Sequence, residues 1–429
     1  MDLTRLWTIR IAGTILLSVL LYQSWQKARA DFLADSGRPG DLDRAIAMDP
    51  DRTSYRLKKA STDLYSNNTP ADRVKTQLLE VLKRSPHNAE ALMDLGLLHE
   101  AHGVAGEAER NLLEAAAWDH TYKPLWTLAN FYFRTNQPMK MWPAVRNALT
   151  LTTKPQLDFF DPTPLYELSW QAGGDPKQIL ALIPDSATAL SGYFVYLVRQ
   201  RHIDAAAEVY PRAIGFADFK DPLHREMFAG YCNLLFLAGR TSEAVDVWNQ
   251  LVMKHLVEST VLRPERGESM ANSSFALPVE PSPFGWFKTS NDNVESTFAP
   301  GLLLLNFNGK QAETVLIVEK NLPVLPGRDY LLTWDADGNG IVRPTDLKES
   351  GLSIRFYDSG SQIPAACSAF LSPEQGRECR VHVPGQIASG KTRIIHMTFL
   401  CQRQAGSVRL NGAVRLTGFH LTLAHDTAS

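Results

Sequence analysis

A helical repeat between residues 41 and 255 constrains this chain more than any other feature. The segments AIAMDP (45–50), VLKRSP (81–86) and AAAWDH (115–120) end at Pro50, Pro86 and His120, spacings of 36 and 34 residues. Self-similarity of this length marks units that cannot bury an apolar face alone and must stack on their neighbours. AEALMDLGLLHEAHGVAGEAERNLLEAA, starting at Ala89, offers Leu92, Leu95, Gly96, His99, Gly103, Ala108, Leu112 and Ala115. A later unit gives Leu190, Tyr193, Leu197, Ala206, Tyr210 and Ala213 in the same frame, and the next gives Phe228, Tyr231, Cys232, Leu235, Gly239, Ala244 and Trp248. Two helices that cross closely need small residues where their backbones meet, hence Gly96 and Ala108. Between these units the frame slips where prolines and Gly173-Gly174 break helices. Five or six helical hairpins are expected.

The order large, large, small, aromatic, turn, small, large, small at those positions resembles the tetratricopeptide repeat (TPR) family. The resemblance implies a superhelix whose first helices line a concave groove that holds peptide or protein segments. In that frame the groove-facing residues are Glu90, Met93, Leu97, Glu100, Asn233 and Phe236. A solvated position or one packed on a neighbour fits each of them equally well. Lysines and asparagines do not recur as a carboxylate clamp, so no ligand follows. His99 and His102, in HEAH, lie one turn apart, but zinc needs three or four ligands and His99 fills an aromatic packing position.

The N-terminal stretch MDLTRLWTIRIAGTILLSVLLYQSWQKARADF runs from Ile11 to Gln26 without a charge. Residues 1–30 are expected to form a signal anchor, a single transmembrane helix with the rest of the chain extracytoplasmic, in the periplasm. Trp7 and Trp25 would lie about 27 Å apart on a helix, close to the hydrocarbon thickness. Cleavage after the small-x-small sequence Ala28-Arg29-Ala30 is the competing reading.

Beyond a linker at 256–274 the helical period ends, and residues 275–429 carry turn signals every eight to twelve residues between short apolar-alternating runs. About eight strands in an antiparallel β-sandwich or jelly roll are expected. The fold class is therefore multidomain, α then β. LNFNGK, LPGRDYLLTW, CRVHVPG and RLTGFHLTL resemble the carbohydrate-binding jelly rolls of the galactose-binding-like superfamily. On that resemblance Trp286, Trp334 and Tyr357 are candidates for stacking on sugar rings, with a core position as the alternative for each.

The loop spelling DADGNGIVRPTD sets Asp335, Asp337, Asn339, Gly340 and Asp346 at the places where a calcium loop wants oxygen donors and its glycine. Strand patterns flank it instead of helices, Arg343 opposes a cation, and Asp, Asn and Gly are natural turn formers. A structural calcium and a plain turn both remain; no other cofactor is expected. Four cysteines occur: in an exported chain Cys367 and Cys379 would close a loop as a disulfide, while buried free thiols are the alternative.

A formal charge of -2 over 429 residues gives no pull toward nucleic acid. A nucleophile elbow, a Walker loop, a dinucleotide fingerprint and HExxH are absent. With its membrane segment, repeat array and terminal domain, the chain resembles bacterial envelope TPR proteins associated with exopolysaccharide or O-antigen assembly. That resemblance implies a non-enzymatic scaffold with envelope protein partners and polysaccharide nearby. A cryptic carbohydrate-active enzyme and a pure protein–protein adaptor are the rival expectations.

Overall fold

Asn88 starts the best-formed repeat: its side chain accepts from the Ala91 N–H at 2.9 Å and caps helix α5, Ala89–Ala101. Gly103, at φ 75°, then turns the chain into α6, Ala105–Trp118. The two helices touch at Gly96, where a Cβ atom would lie 2.8 Å from the Leu112 side chain. The computed structural model containing this hairpin describes residues 3–38, 40–66, 69–151, 161–218, 220–277, 282–289, 291–338, 351–367, 377–385, 391–403, 405–406 and 409–424.

The chain forms two compact units, residues 1–196 and 197–429. In the first, α3 (Thr53–Leu64) pairs with α4 (Ala71–Arg84), α5 with α6, α7 (Tyr122–Arg134) with α8 (Pro138–Thr150), and α9 (Thr163–Gln171) with the short α10 (Pro176–Leu182). Pro143 sits inside α8 without ending it. α11 (Ala187–Arg199) straddles the division, and α12 (Ile203–Ala213), α13 (Pro222–Leu237) and α14 (Thr241–Met253) belong to the second unit. Helical repeats followed by antiparallel strands are what the sequence pattern called for.

The expected membrane span is corrected. α1 (Leu3–Asp35) is 33 residues long, yet no helix among the described residues is long and apolar enough to cross a membrane. Arg10 interrupts its apolar run near one end, and Gln23, Ser24, Gln26, Lys27 and Arg29 make the other end polar. The C-terminal part of α1 is built into the array: Ala30 and Ala34 are buried with Ala45 of α2 (Asp41–Met48) and with Tyr55. The Tyr55 hydroxyl also donates to Asp31. The single-pass membrane location inferred from this segment therefore falls.

In the second unit two antiparallel sheets enclose one core. The first has the order β1 (Trp286–Lys288), β4 (Thr314–Val324), β10 (Arg393–Gln402), β6 (Gly351–Asp358), β7 (Ser361–Ile363). The second runs β2 (Val294–Ala299), β3 (Leu302–Asn308), β11 (Asn411–Leu423), β5 (Asp329–Asp337), β9 (Arg377–His382), β8 (Ala365–Cys367). Alternation explains the core: on β5, Tyr330, Leu332, Trp334 and Ala336 turn inward, and they join Val318 and Leu322 of β4 and Met397 and Phe399 of β10 in a single cluster.

A strap before β1 ties this core to the last helical hairpin. Phe284, fully buried, meets Phe236 of α13 and Trp248 of α14 edge-on, with ring centroids 5.8 and 5.7 Å away. Lys320 Nζ donates to the Phe284 carbonyl at 2.9 Å, and Asn321 Nδ2 to the Pro283 carbonyl at 2.8 Å. Residues 256–274 are also packed, with Leu256, Val257, Leu262, Met270 and Ala271 all buried.

Candidate functional site

First helices of successive hairpins face one another through polar links set one repeat apart. Ser61 Oγ on α3 donates to Asp94 on α5, 33 residues away. Lys123 Nζ on α7 donates to Glu90 Oε1 at 3.1 Å, again 33 residues away, and Arg134 grips both oxygens of Glu100 at 2.7 and 2.8 Å across 34. Same-face spacing of three and four residues puts Glu90 with Asp94 and Lys123 with Trp126. Trp126 stacks on Tyr122, centroids 5.9 Å apart. Tyr65, at the end of α3 and 73% exposed, feels the charges of Asp94, Lys123 and Glu90.

Asp94 is the unusual member. It is buried, and that burial raises its pKa above the ordinary carboxylate value, with the Ser61 hydrogen bond pulling the other way. The surface thus combines a buried acid, an exposed phenol, two ion pairs and a half-buried indole. Its accessible members present charge through Glu90 and Lys123 and ring surface through Tyr65 and Trp126, chemistry suited to charged and apolar side chains.

Of the groove residues expected from the repeat frame, Glu90, Leu97 and Glu100 lie on α5 in this first unit. Met93 is a correction: at 3% exposure it is part of the packing and offers nothing to a ligand. Asn233 and Phe236 lie on α13 in the second unit. Asn233 is exposed and opens into a cavity of 620 Å3 with Arg225, Glu226, Leu256, Val257, Ser282 and Phe287. Phe236 is half-buried against Phe284. Asp94, Lys123 and Tyr65 were missed; the signal available for Asp94 was its position 33 residues after Ser61, one repeat on.

The sandwich candidates fare differently. Trp286 and Trp334 are corrections: each is 3% exposed and part of the core, so neither ring can stack on a sugar without unfolding the sheet. Tyr357, on β6, is half-buried. Asp335 and Asp337 belong to strand β5, two residues apart and exposed on its outer face, rather than to a loop. The Asp335 carboxylate lies against Gly418, whose missing Cβ leaves room for it. Asn339, Gly340 and Asp346 lie outside the described residues. Among the described residues no group of three or more His, Cys, Asp and Glu is arranged to hold a metal ion. The His99 ring meets the Asn111 amide at 3.0 Å inside the hairpin, and burial lowers its pKa. Cys367 and Cys379 are joined as a disulfide between β8 and β9, while Cys232 and Cys401 are free and buried.

The helical part therefore has the hairpin geometry of a repeat scaffold. Known structures that align with the chain include YrrB, described as a TPR protein with an unusual peptide-binding site, at 13% identity and a TM-score of 0.25, covering 52% of this chain and 93% of that one. PilF of Pseudomonas aeruginosa aligns at 15% identity and TM-score 0.26, over 47% of this chain and 90% of its own. Yeast Tom70 aligns at 16% identity and TM-score 0.28, over 56% of this chain and 53% of its own. Scores this low carry no argument about function. No family model matches the chain, and no curated protein does.

Proposed function

We propose that the protein is a non-enzymatic interaction scaffold that holds a segment of a partner protein on the face formed by α3, α5 and α7. The observation that supports this is the cluster of exposed Tyr65, Glu90 and Lys123 on successive first helices, set around the buried Asp94 carboxylate that Ser61 holds in place. An apolar residue in the place of Asp94 would avoid the cost of desolvating a carboxylate.

The test is affinity capture from the native host with the full chain, comparing wild type with a Tyr65→Ala, Glu90→Ala, Lys123→Ala triple variant of unchanged melting temperature. A partner retained by wild type and lost by the variant is the expected result. Equal capture by both sinks the assignment to this face.

A further inference from the structure

In the other unit, residues of α13 and of the edge strand β1 line one cavity. Ladder phase sets what β1 offers. The Thr289 N–H donates to the Ile317 carbonyl at 3.1 Å, and the register pairs Phe287 with Glu319 and Lys288 with Val318. In an antiparallel ladder hydrogen-bonded and non-hydrogen-bonded pairs alternate. Thr289 and Phe287 therefore face β4, while the backbone N–H and C=O of Lys288 turn away from it. β1 ends its sheet, and among the described residues nothing pairs with that side.

Side-chain alternation completes the wall. Trp286 points into the core, so Phe287 points to the opposite face, where it lines the 620 Å3 cavity with Leu256 and Val257. Ala229 and Gly230 keep the α13 wall low. Ser282 lines the same cavity 91% buried, its hydroxyl without a hydrogen-bond partner. A buried hydroxyl left unpaired costs about 1–3 kcal/mol, and Asn233 adds an exposed amide with no bond of its own among the described residues. An open strand edge at Lys288, next in the chain to the Phe287 ring that lines an apolar slot with an exposed amide, is complementary to an extended backbone.

We infer that this cleft takes an extended segment of a partner protein, which adds as a strand beside β1 and seats one apolar side chain among Leu256, Val257 and Phe287. Lys288 supplies the main-chain pairing, and the exposed Asn233 amide bonds an incoming peptide group. No residue of this cleft belongs to the α3–α5–α7 face.

The probe is a library of random peptides displayed on phage and selected on the full chain, with enriched peptides then synthesised and titrated. Lys288→Pro removes the outward N–H without touching the bonds to β4, and Ala229→Trp fills the slot. Each should weaken the enriched peptides by about tenfold or more, near 1.4 kcal/mol, while Tyr65→Ala leaves them unchanged. The Lys288 amide should also exchange more slowly with peptide bound. The inference is overturned if no peptide is enriched, if the peptides bind all variants equally, or if only Tyr65→Ala weakens them. It is equally overturned if the cleft proves to join two copies of this chain or to select sugars on a glycan array. Should Lys288→Pro unfold, Ala229→Trp and Asn233→Ala carry the same test.

Discussion

Ser61 donates its hydroxyl to Asp94 across one full repeat, joining the first helices of two successive hairpins through a buried bond. Removing the donor leaves the carboxylate with less compensation inside the array. Ser61→Ala should lower the unfolding free energy by about 1–3 kcal/mol, the cost of a buried polar group left short of a partner. In the Asp94→Leu background the same substitution should cost little, because the group needing the bond is gone. A double-mutant cycle by denaturant unfolding checks this; additive effects would show that the bond contributes nothing.

Asp94 also predicts a pH dependence. Its folded pKa lies above its unfolded value, so the folded state binds the proton more tightly and stability falls as pH rises. That fall begins near the unfolded value of about 3.9 and ends above the raised folded value. Asp94→Asn keeps the shape without the titration. The difference in melting temperature between variant and wild type should therefore grow in the variant's favour as pH climbs from 4 toward neutrality. Parallel curves would exclude Asp94 as the source.

At Gly96 two effects compete. Alanine is better than glycine in a helix by about 1 kcal/mol, but its Cβ would stand 2.8 Å from two Leu112 side-chain carbons and 3.3 Å from the Ala108 carbonyl. Overpacking of that kind costs roughly 1–3 kcal/mol, and the carbonyl cannot move as a side chain can. Gly96→Ala should thus be destabilising, and Leu112→Ala should relieve only part of the strain. Thermal unfolding of the two single variants and the double variant decides it; a stabilised Gly96→Ala would mean that the crossing is looser than its geometry.

The Gly96–Ala108 crossing was legible in the sequence because a repeat writes its packing rule at fixed positions. Alternation on β5 likewise announced the sandwich. What stayed hidden depends on contacts between segments far apart. The sequence marks Met93 and Asp94 alike as polar-or-apolar choices on one helix, and only the neighbouring α3 and α6 decide that both are buried. Trp286 reads equally as a core or an exposed ring until Lys320 of β4 and the rings of Phe275, Phe298, Phe399 and Phe419 close around it. Around Asp335 the sequence spells a loop, whereas β5 runs through Asp337, so Asp335 and Asp337 are strand residues. The N-terminal run suggests a span by its uncharged stretch Ile11–Gln26, while the burial of Ala30 and Ala34 with Ala45 and Tyr55 at the end of the same helix is a contact between segments that the sequence does not display.

Lys320 gives the last prediction. The side chain is fully buried, its Nζ 4.6 Å from the centroid of the Trp286 ring and bonded to the Phe284 carbonyl, and burial drives its pKa well below the ordinary lysine value. Below about pH 10.4 the unfolded chain carries a protonated lysine that the folded core resists. Unfolding therefore takes up a proton, and stability rises with pH between the depressed folded pKa and the unfolded one. Lys320→Met keeps most of the side-chain volume and abolishes this proton uptake, while the Phe284 carbonyl loses its donor. Those two changes oppose each other at pH 7, so the net sign there is a weak test. The slope is a strong one: from pH 7 to 10 the wild type should gain stability relative to Lys320→Met in paired denaturant titrations. If the two profiles run parallel, Lys320 keeps its proton in the core and the amine must be stabilised there by the Trp286 ring and the Phe284 carbonyl together.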